Sequence, residues 1–147
     1  MEKYSSRYCP YFFTRKSGDR VPLSYQLIEM RLKSICAALT ANEDKSWFER
    51  LDDYEFDPMG VLIRNIRTMQ ELTETTVFSV NDFSVIDDLR EARNYWAHEC
   101  FGGKRPVCFK NGKVKQHEYA RKIENDHRIA VEWDERLANM LQSLIGI

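Results

Sequence analysis

The sequence has few of the residues that build turns, with only six Gly and four Pro among 147 residues. This scarcity disfavours an all-β sandwich or barrel, because those folds need many tight turns. No apolar run approaches the roughly 18 residues of a membrane span. The first six residues also lack the apolar core of a signal peptide. We therefore expect a soluble, cytoplasmic protein without a membrane partner.

Paired cysteines and the common catalytic motifs are also missing. The four Cys include no C-x-x-C, and there is no P-loop, G-x-S-x-G, H-E-x-x-H or glycine-rich dinucleotide turn. Without a secretory signal, the cysteines are expected to be reduced thiols. One set of possible metal ligands occurs, but its spacing does not match that of close-paired zinc ligands; it comprises His98, Cys100, Cys108 and His117. We predict no metal and no cofactor, with zinc as the less favoured alternative.

The composition and length of the chain suit a single domain with one hydrophobic core. The chain is 43% hydrophobic and 12% aromatic, and its length is enough for a single core but too short for two. Residues 1–22 show no clear period and contain Pro10 and Pro22, which predicts an N-terminal arm. Residues 23–147 are predicted to form a single helical domain.

Apolar residues recur at helical spacing in several segments of that domain. The predicted fold is all-α, an up-and-down bundle of four main helices and one short helix. A small basic β-hairpin or loop is expected around residues 104–115, where Asn-Gly is a strong hairpin signal. The first predicted helix runs from Ser24 to about Leu39, and the short second helix runs from a Ser46 cap through Leu51. The third is predicted from Asp57-Pro58 to near Thr75, and the fourth from an Asn81 or Asp82 cap to Gly102. The last is predicted from about Gln116 to Leu144.

The net charge of −1 hides an uneven distribution. Residues 41–91 carry thirteen acids and five bases, whereas residues 102–122 have a balance of +6 and residues 1–20 a balance of +3. A local basic patch can hold a polyanion even when the whole chain is near neutral. The alternative is that these charges are simply solvated surface.

The fourth predicted helix carries a stripe of polar residues whose side chains are capable of acid–base chemistry or of binding. Successive spacings of four, three and four place Asp87, Glu91, Asn94 and His98 on one face, at about 100° per residue. Arg93 points about 140° away from His98 and flanks the apolar side. Because an unpaired buried charge is costly, we expect Arg93 either to be paired or to reach into a shared cleft.

Residues 93–98 read Arg-Asn-Tyr-Trp-Ala-His. This R-N-x-x-x-H form resembles the R-x4-6-H signature of HEPN domains. The position of the motif near the end of a penultimate long helix and the all-helical character of the chain are also similar to those domains. The rest of the chain matches only in architecture. The resemblance implies a small helical bundle, commonly dimeric, that acts as a metal-independent endoribonuclease in toxin–antitoxin or anti-phage defence systems.

The resemblance also implies roles for individual residues. His98 would act as the acid or base on the 2′-OH, since imidazole titrates near neutrality. Arg93 would stabilise the charged phosphate, and Asn94 would orient the imidazole or contact the phosphate. The expected product is a 2′,3′-cyclic phosphate. The RNA partner would be held by nearby cations and a stacking aromatic, namely Arg90, Lys104, Arg105, Phe109, Lys110 and Lys113.

Two opposed copies of this helix could bring Arg93 of one chain near His98 of the other. Together with the dimers common in the family that the motif resembles, this predicts a homodimer with a composite active site. One branch of the family continues as R-x4-H-x-Y, and its antitoxin modifies that Tyr; here the position is Cys100. That mode of control is therefore not expected, although an antitoxin or defence-system partner stays open. The alternative function is an inactive HEPN-like module that binds a protein or nucleotide, with Arg93 as an ion-pair partner of Asp87 or Glu91.

Overall fold

Within the residues that the structure describes, two short strands precede five α-helices. The computed structural model describes the backbone of residues 12–14, 20–95 and 113–146, and the side chains of residues 23–95, 121 and 124–146. The strands pair antiparallel, with Phe13 opposite Val21. The elements are β1 (Phe12–Thr14), β2 (Arg20–Pro22), α1 (Leu23–Thr40), α2 (Trp47–Arg50), a 3₁₀ turn (Leu51–Tyr54), α3 (Met59–Thr73), α4 (Val80–Asn94) and α5 (Lys113–Ile145).

The four long helices form a ring of neighbours. Helix α1 contacts both α3 and α5, α3 contacts α4, and α4 contacts α5. One hydrophobic cluster fills the space between them, with buried residues from every long helix. The predicted all-α bundle of four main helices and one short helix is therefore confirmed. The largest fully buried side chains are Tyr25, Phe78, Ile28, Leu32, Ile35, Leu62, Ile66, Ile86, Leu137 and Cys36.

The apolar stripes of α1 and α3 match the sequence pattern closely. Ile28, Leu32 and Ile35 are fully buried, as are Leu62 and Ile66. The next stripe residues, Leu39 and Met69, are half-buried against the same core. On α4 the buried face consists of Phe83, Ile86 and Leu89, whereas Val85 and Ala92 are only half-buried.

Helix ends depart from the predictions in several places. Ser46 caps α2 as predicted, with its hydroxyl accepting from the Glu49 N–H. The cap of α4 was wrongly assigned to Asn81 or Asp82. The N-cap is Ser79, whose hydroxyl accepts from the Asp82 N–H while the Asp82 carboxylate accepts from the Ser79 N–H. Asp82 therefore completes a capping box rather than starting the helix.

The third helix is shorter than predicted at both ends. Pro58 is its N-cap rather than a residue of its first turn, and its carbonyl accepts from the Val61 and Leu62 N–H groups. The helix ends at Thr73 because Glu74 adopts the left-handed conformation, with φ of 54°. A residue in that conformation terminates a helix by turning the chain away from its axis.

The last helix begins at Lys113, three residues before the predicted start. The hairpin or loop predicted over residues 104–115 is therefore wrong for residues 113–115, and residues 104–112 lie outside the described part of the chain. Lys113 and Lys115 favour a helix even without an apolar period, which agrees with the early start. The 33 residues of α5 span about 50 Å, and its first buried residue among the described side chains is Ala130.

The strand pair lies within the N-terminal arm predicted for residues 1–22. Three-residue strands are too short to show the alternation that identifies a strand in a sequence. The continuation of α4 to Gly102 and the packing of Trp96 fall on residues that the structure does not describe. Over the described ranges, no helix has an apolar stretch of the length needed to cross a bilayer.

Cys36 is sealed between α1 and α3. Its side chain is fully buried, and its thiol donates to the Leu62 carbonyl over 3.6 Å. Burial, and to a smaller extent the negative charge of Asp57, raises the pKa of this thiol to about 12. In this environment Cys36 acts as a small apolar packing residue.

The Cys36 thiol is expected to resist alkylation in the folded protein. With a pKa of about 12, only about one thiol in ten thousand is the reactive thiolate at pH 8. Iodoacetamide treatment at that pH, followed by peptide mass mapping, should leave the Cys36 peptide unmodified in buffer and modified in urea. Rapid modification in buffer would contradict the packing of α1 on α3.

Candidate functional site

A cleft of about 760 Å³ is bounded by α1, the turn before α3, α3 itself and α4. We call it the α3–α4 cleft. Its volume lies within the roughly 300–1,000 Å³ typical of ligand pockets. Charged side chains dominate its lining among the described residues; the cations are Lys33, Arg64, Arg67, Arg90 and Arg93, and the acids are Glu29, Glu55, Asp57 and Asp87.

Arg93 lies in the wall of this cleft as half of a largely buried ion pair. Its Nε donates to Glu29 Oε1 over 2.8 Å, and the two side chains are 15% and 10% exposed. Of the two alternatives expected for Arg93, pairing or reaching into a shared cleft, the structure shows the pairing. Its partner is Glu29 on α1 rather than Asp87 or Glu91, because Arg93 flanks the apolar side of α4 and so faces α1.

Asn94 lies beside Arg93 in the same wall. It is exposed, and its Oδ1 accepts from Arg93 Nη1 at 3.5 Å, the limit of a hydrogen bond. Nε of Arg93 is therefore held by Glu29, and Nη1 makes a long contact to Asn94. A phosphate oxygen in the cleft would be a stronger acceptor for a guanidinium than a neutral amide oxygen, because it carries negative charge and can accept in bidentate geometry.

Asp87 organises two further arginines of the cleft. Its carboxylate contacts Arg67 Nη2 at 3.2 Å and Arg90 Nε at 3.8 Å. The Arg67 guanidinium also lies 4.7 Å from the centre of the Phe83 ring. Because Asp87 is neutralised by two cations, it repels an incoming phosphate less than an isolated carboxylate would.

Sequence reasoning missed most residues of the cleft, among them Glu29, Arg64 and Arg67. A signal existed for Glu29, since this acid stands on the buried face of α1, four residues after Tyr25 and three before Leu32. An acid on such a face requires a cationic partner. Arg64 and Arg67 had no comparable signal, because exposed cations on a helix usually mark only a solvated face.

Several predicted site residues lie outside the described part of the chain. They are His98, Lys104, Arg105, Phe109 and Lys110. Lys113 is the first residue of α5, but its side chain is not described, and the same holds for His117. The zinc alternative therefore falls on undescribed side chains. Within the described ranges, no group of three or more His, Cys, Asp or Glu side chains is placed to hold a metal ion.

Comparisons of this chain with protein-family models, with curated proteins and with solved structures find no match. The assignment of function therefore rests on the motif and on the geometry of the α3–α4 cleft.

Proposed function

We propose that this protein is a metal-independent endoribonuclease of the HEPN type that acts as a toxin or anti-phage defence effector. The observation that supports this most is the placement of Arg93, the first residue of the motif. It lies in the wall of an arginine-rich cleft, anchored by Glu29 and adjacent to the exposed Asn94. An anchored guanidinium is preorganised for charge that develops on a phosphate, which is the commonest source of catalytic stabilisation.

The reaction needs no metal. His98 takes the proton of the 2′-OH, and the 2′ oxygen attacks the adjacent phosphorus. Arg93 stabilises the extra negative charge of the phosphorane, and Asn94 contacts the phosphate or orients the imidazole. The 5′ oxygen of the next nucleotide then leaves with a proton, so that the products are a 2′,3′-cyclic phosphate and a 5′-OH.

The proposal includes a homodimer with a composite site, in which Arg93 of one copy works with His98 of the other. The basic run of residues 102–122 would hold the RNA backbone near that site, in a cytoplasmic setting where an antitoxin or other defence partner would regulate cleavage. Sedimentation at micromolar protein concentration tests this arrangement. A monomeric mass would contradict the composite site.

The deciding experiment is an RNA cleavage assay in EDTA with wild type, His98→Ala and Arg93→Ala. Wild type alone should cleave, leaving cyclic-phosphate ends, because general acid–base catalysis by one His is typically worth about 10²–10⁴-fold. Circular dichroism should show retained helicity in both variants. Equal activity in all three proteins would indicate a contaminant or another site and would contradict the proposal.

One observation favours the second candidate, an inactive HEPN-like module that binds a protein partner or a nucleotide. Four carboxylates and five cations line the α3–α4 cleft, and Arg93 donates the hydrogen bond of its Nε to Glu29. An Arg93 with a purely structural role would form the same ion pair with Glu29. Equal inactivity of all three proteins on total RNA and on tRNA would favour this module.

A further inference from the structure

Phe56 presents an almost bare aromatic ring to the α3–α4 cleft. It lies in the turn between the 3₁₀ segment and α3, lines the cleft and is 90% exposed. No other large hydrophobic side chain among the described residues is as exposed. Leaving such a ring in water forfeits the free energy of burying it, about 1.5–3 kcal/mol for a Phe side chain. A flat apolar ligand stacked on the ring would recover part of that loss.

The acids and the arginines of the cleft are unevenly distributed around this ring. Glu55 and Asp57 flank Phe56 in the chain and also line the cleft, whereas the arginines of the lining lie on α3 and α4, where Asp87 neutralises part of their charge. The side chain of Arg64 is exposed and, within the described part of the chain, has no hydrogen-bond or ion-pair partner. A phosphate is therefore favoured at the arginine side and disfavoured next to Phe56.

We propose that the α3–α4 cleft holds a single RNA strand, with one base stacked on Phe56 and a neighbouring phosphate bound by Arg64. A nucleotide matches this arrangement because it joins a flat apolar base to an anion. Guanidinium groups bind phosphate oxygens through a planar fork, and bases stack on aromatic side chains in single-stranded complexes. The identity of the strand as RNA rests on the proposed ribonuclease function, whereas the stacking site rests on the cleft.

Two probes separate base stacking from phosphate binding. The first is a fluorescein-labelled RNA hexamer with 2′-O-methyl groups, which block attack by the 2′ oxygen and so prevent cleavage. The second is the same sugar–phosphate strand with no bases. Binding of both is measured by fluorescence anisotropy for wild type, Phe56→Ala and Arg64→Gln, over a range of salt concentrations.

Phe56→Ala should weaken binding of the base-bearing strand by about tenfold and leave binding of the abasic strand unchanged, since stacking needs a base. Arg64→Gln should weaken both strands and reduce the salt dependence by about one phosphate contact. Both side chains are exposed, so the variants should stay folded, which circular dichroism checks. Wild-type binding of neither strand would overturn the proposal, as would full binding by Phe56→Ala.

Matched control variants exist elsewhere on the surface. Phe48 is 70% exposed on α2, and Arg128 is exposed on α5, where it pairs with Glu132; neither lines the cleft. Phe48→Ala and Arg128→Gln should bind like wild type, and an equal loss in them would overturn the proposed site.

A Phe56-dependent complex whose unmodified RNA is never cleaved would support the stacking site and contradict the ribonuclease. Cleavage of unmodified RNA together with binding that does not depend on Phe56 would support the ribonuclease and contradict the stacking site.

Discussion

Glu29→Ala is expected to lower the free energy of unfolding by about 3 kcal/mol, because it leaves the Arg93 charge in a largely buried site without its partner. Breaking a buried pair from one side typically costs about 3–5 kcal/mol, and the partial exposure of both side chains places this pair at the lower end. Urea denaturation followed by circular dichroism measures the change. For a chain of this length the melting temperature should fall by roughly 10 °C.

A double replacement distinguishes an unpaired charge from lost packing. Glu29→Met combined with Arg93→Met removes both charges while keeping apolar volume, so it should be less destabilised than Glu29→Ala alone. The control is the exposed Arg128–Glu132 pair on α5. Glu132→Ala should change the free energy of unfolding by less than about 1 kcal/mol, since exposed ion pairs contribute little. A Glu29→Ala protein as stable as wild type would mean that the pair does not form in solution.

Leu137→Ala is the second substitution with a large expected effect. Leu137 is fully buried on α5 and belongs to the core cluster shared with α1, α3 and α4. Removing its side chain forfeits apolar burial and leaves a cavity, a change that typically costs about 2–5 kcal/mol. The midpoint of urea unfolding should fall accordingly, and the slope of the transition should stay unchanged because the fold is retained.

The matched control is Leu72→Ala near the end of α3, where the leucine is 78% exposed. The chemical change is identical, but little burial is lost, so the free energy of unfolding should shift by less than about 0.5 kcal/mol. Far-ultraviolet circular dichroism reports on the helices, and tryptophan fluorescence reports on the three tryptophans of the chain, of which Trp133 lies on α5. A Leu137→Ala protein with two separate transitions would show that α5 unfolds independently of the other helices.

The sequence predicted the helices more accurately than their ends. The period of Ile28, Leu32 and Ile35 identifies α1 because a helix must bury one face. The cap of α4 was misassigned because Asn and Asp are as suitable for capping as Ser, and the chain offers Ser79, Asn81 and Asp82 within four residues. Only the observed hydrogen bonds separate these candidates.

The candidate site was predictable only on α4 itself. The position of Arg93 on the helix followed from helical geometry, and its need for a partner followed from the cost of an unpaired buried charge. The identity of that partner did not follow, because Glu29 is 64 residues away in the chain. The spacing of residues within one helix says nothing about which face of another helix will pack against it.

By itself, the sequence determined that this chain is an all-α bundle and that Arg93 and Asn94 stand next to each other on a helix. These are local properties, set by the repeat of the helix and by the burial of apolar residues. Only the tertiary structure decided that Glu29 anchors Arg93, that Asp87 joins Arg67 to Arg90, and that Phe56 opens onto the same cleft. Those relations depend on how α1, α3 and α4 pack, which is a long-range outcome of filling one shared core.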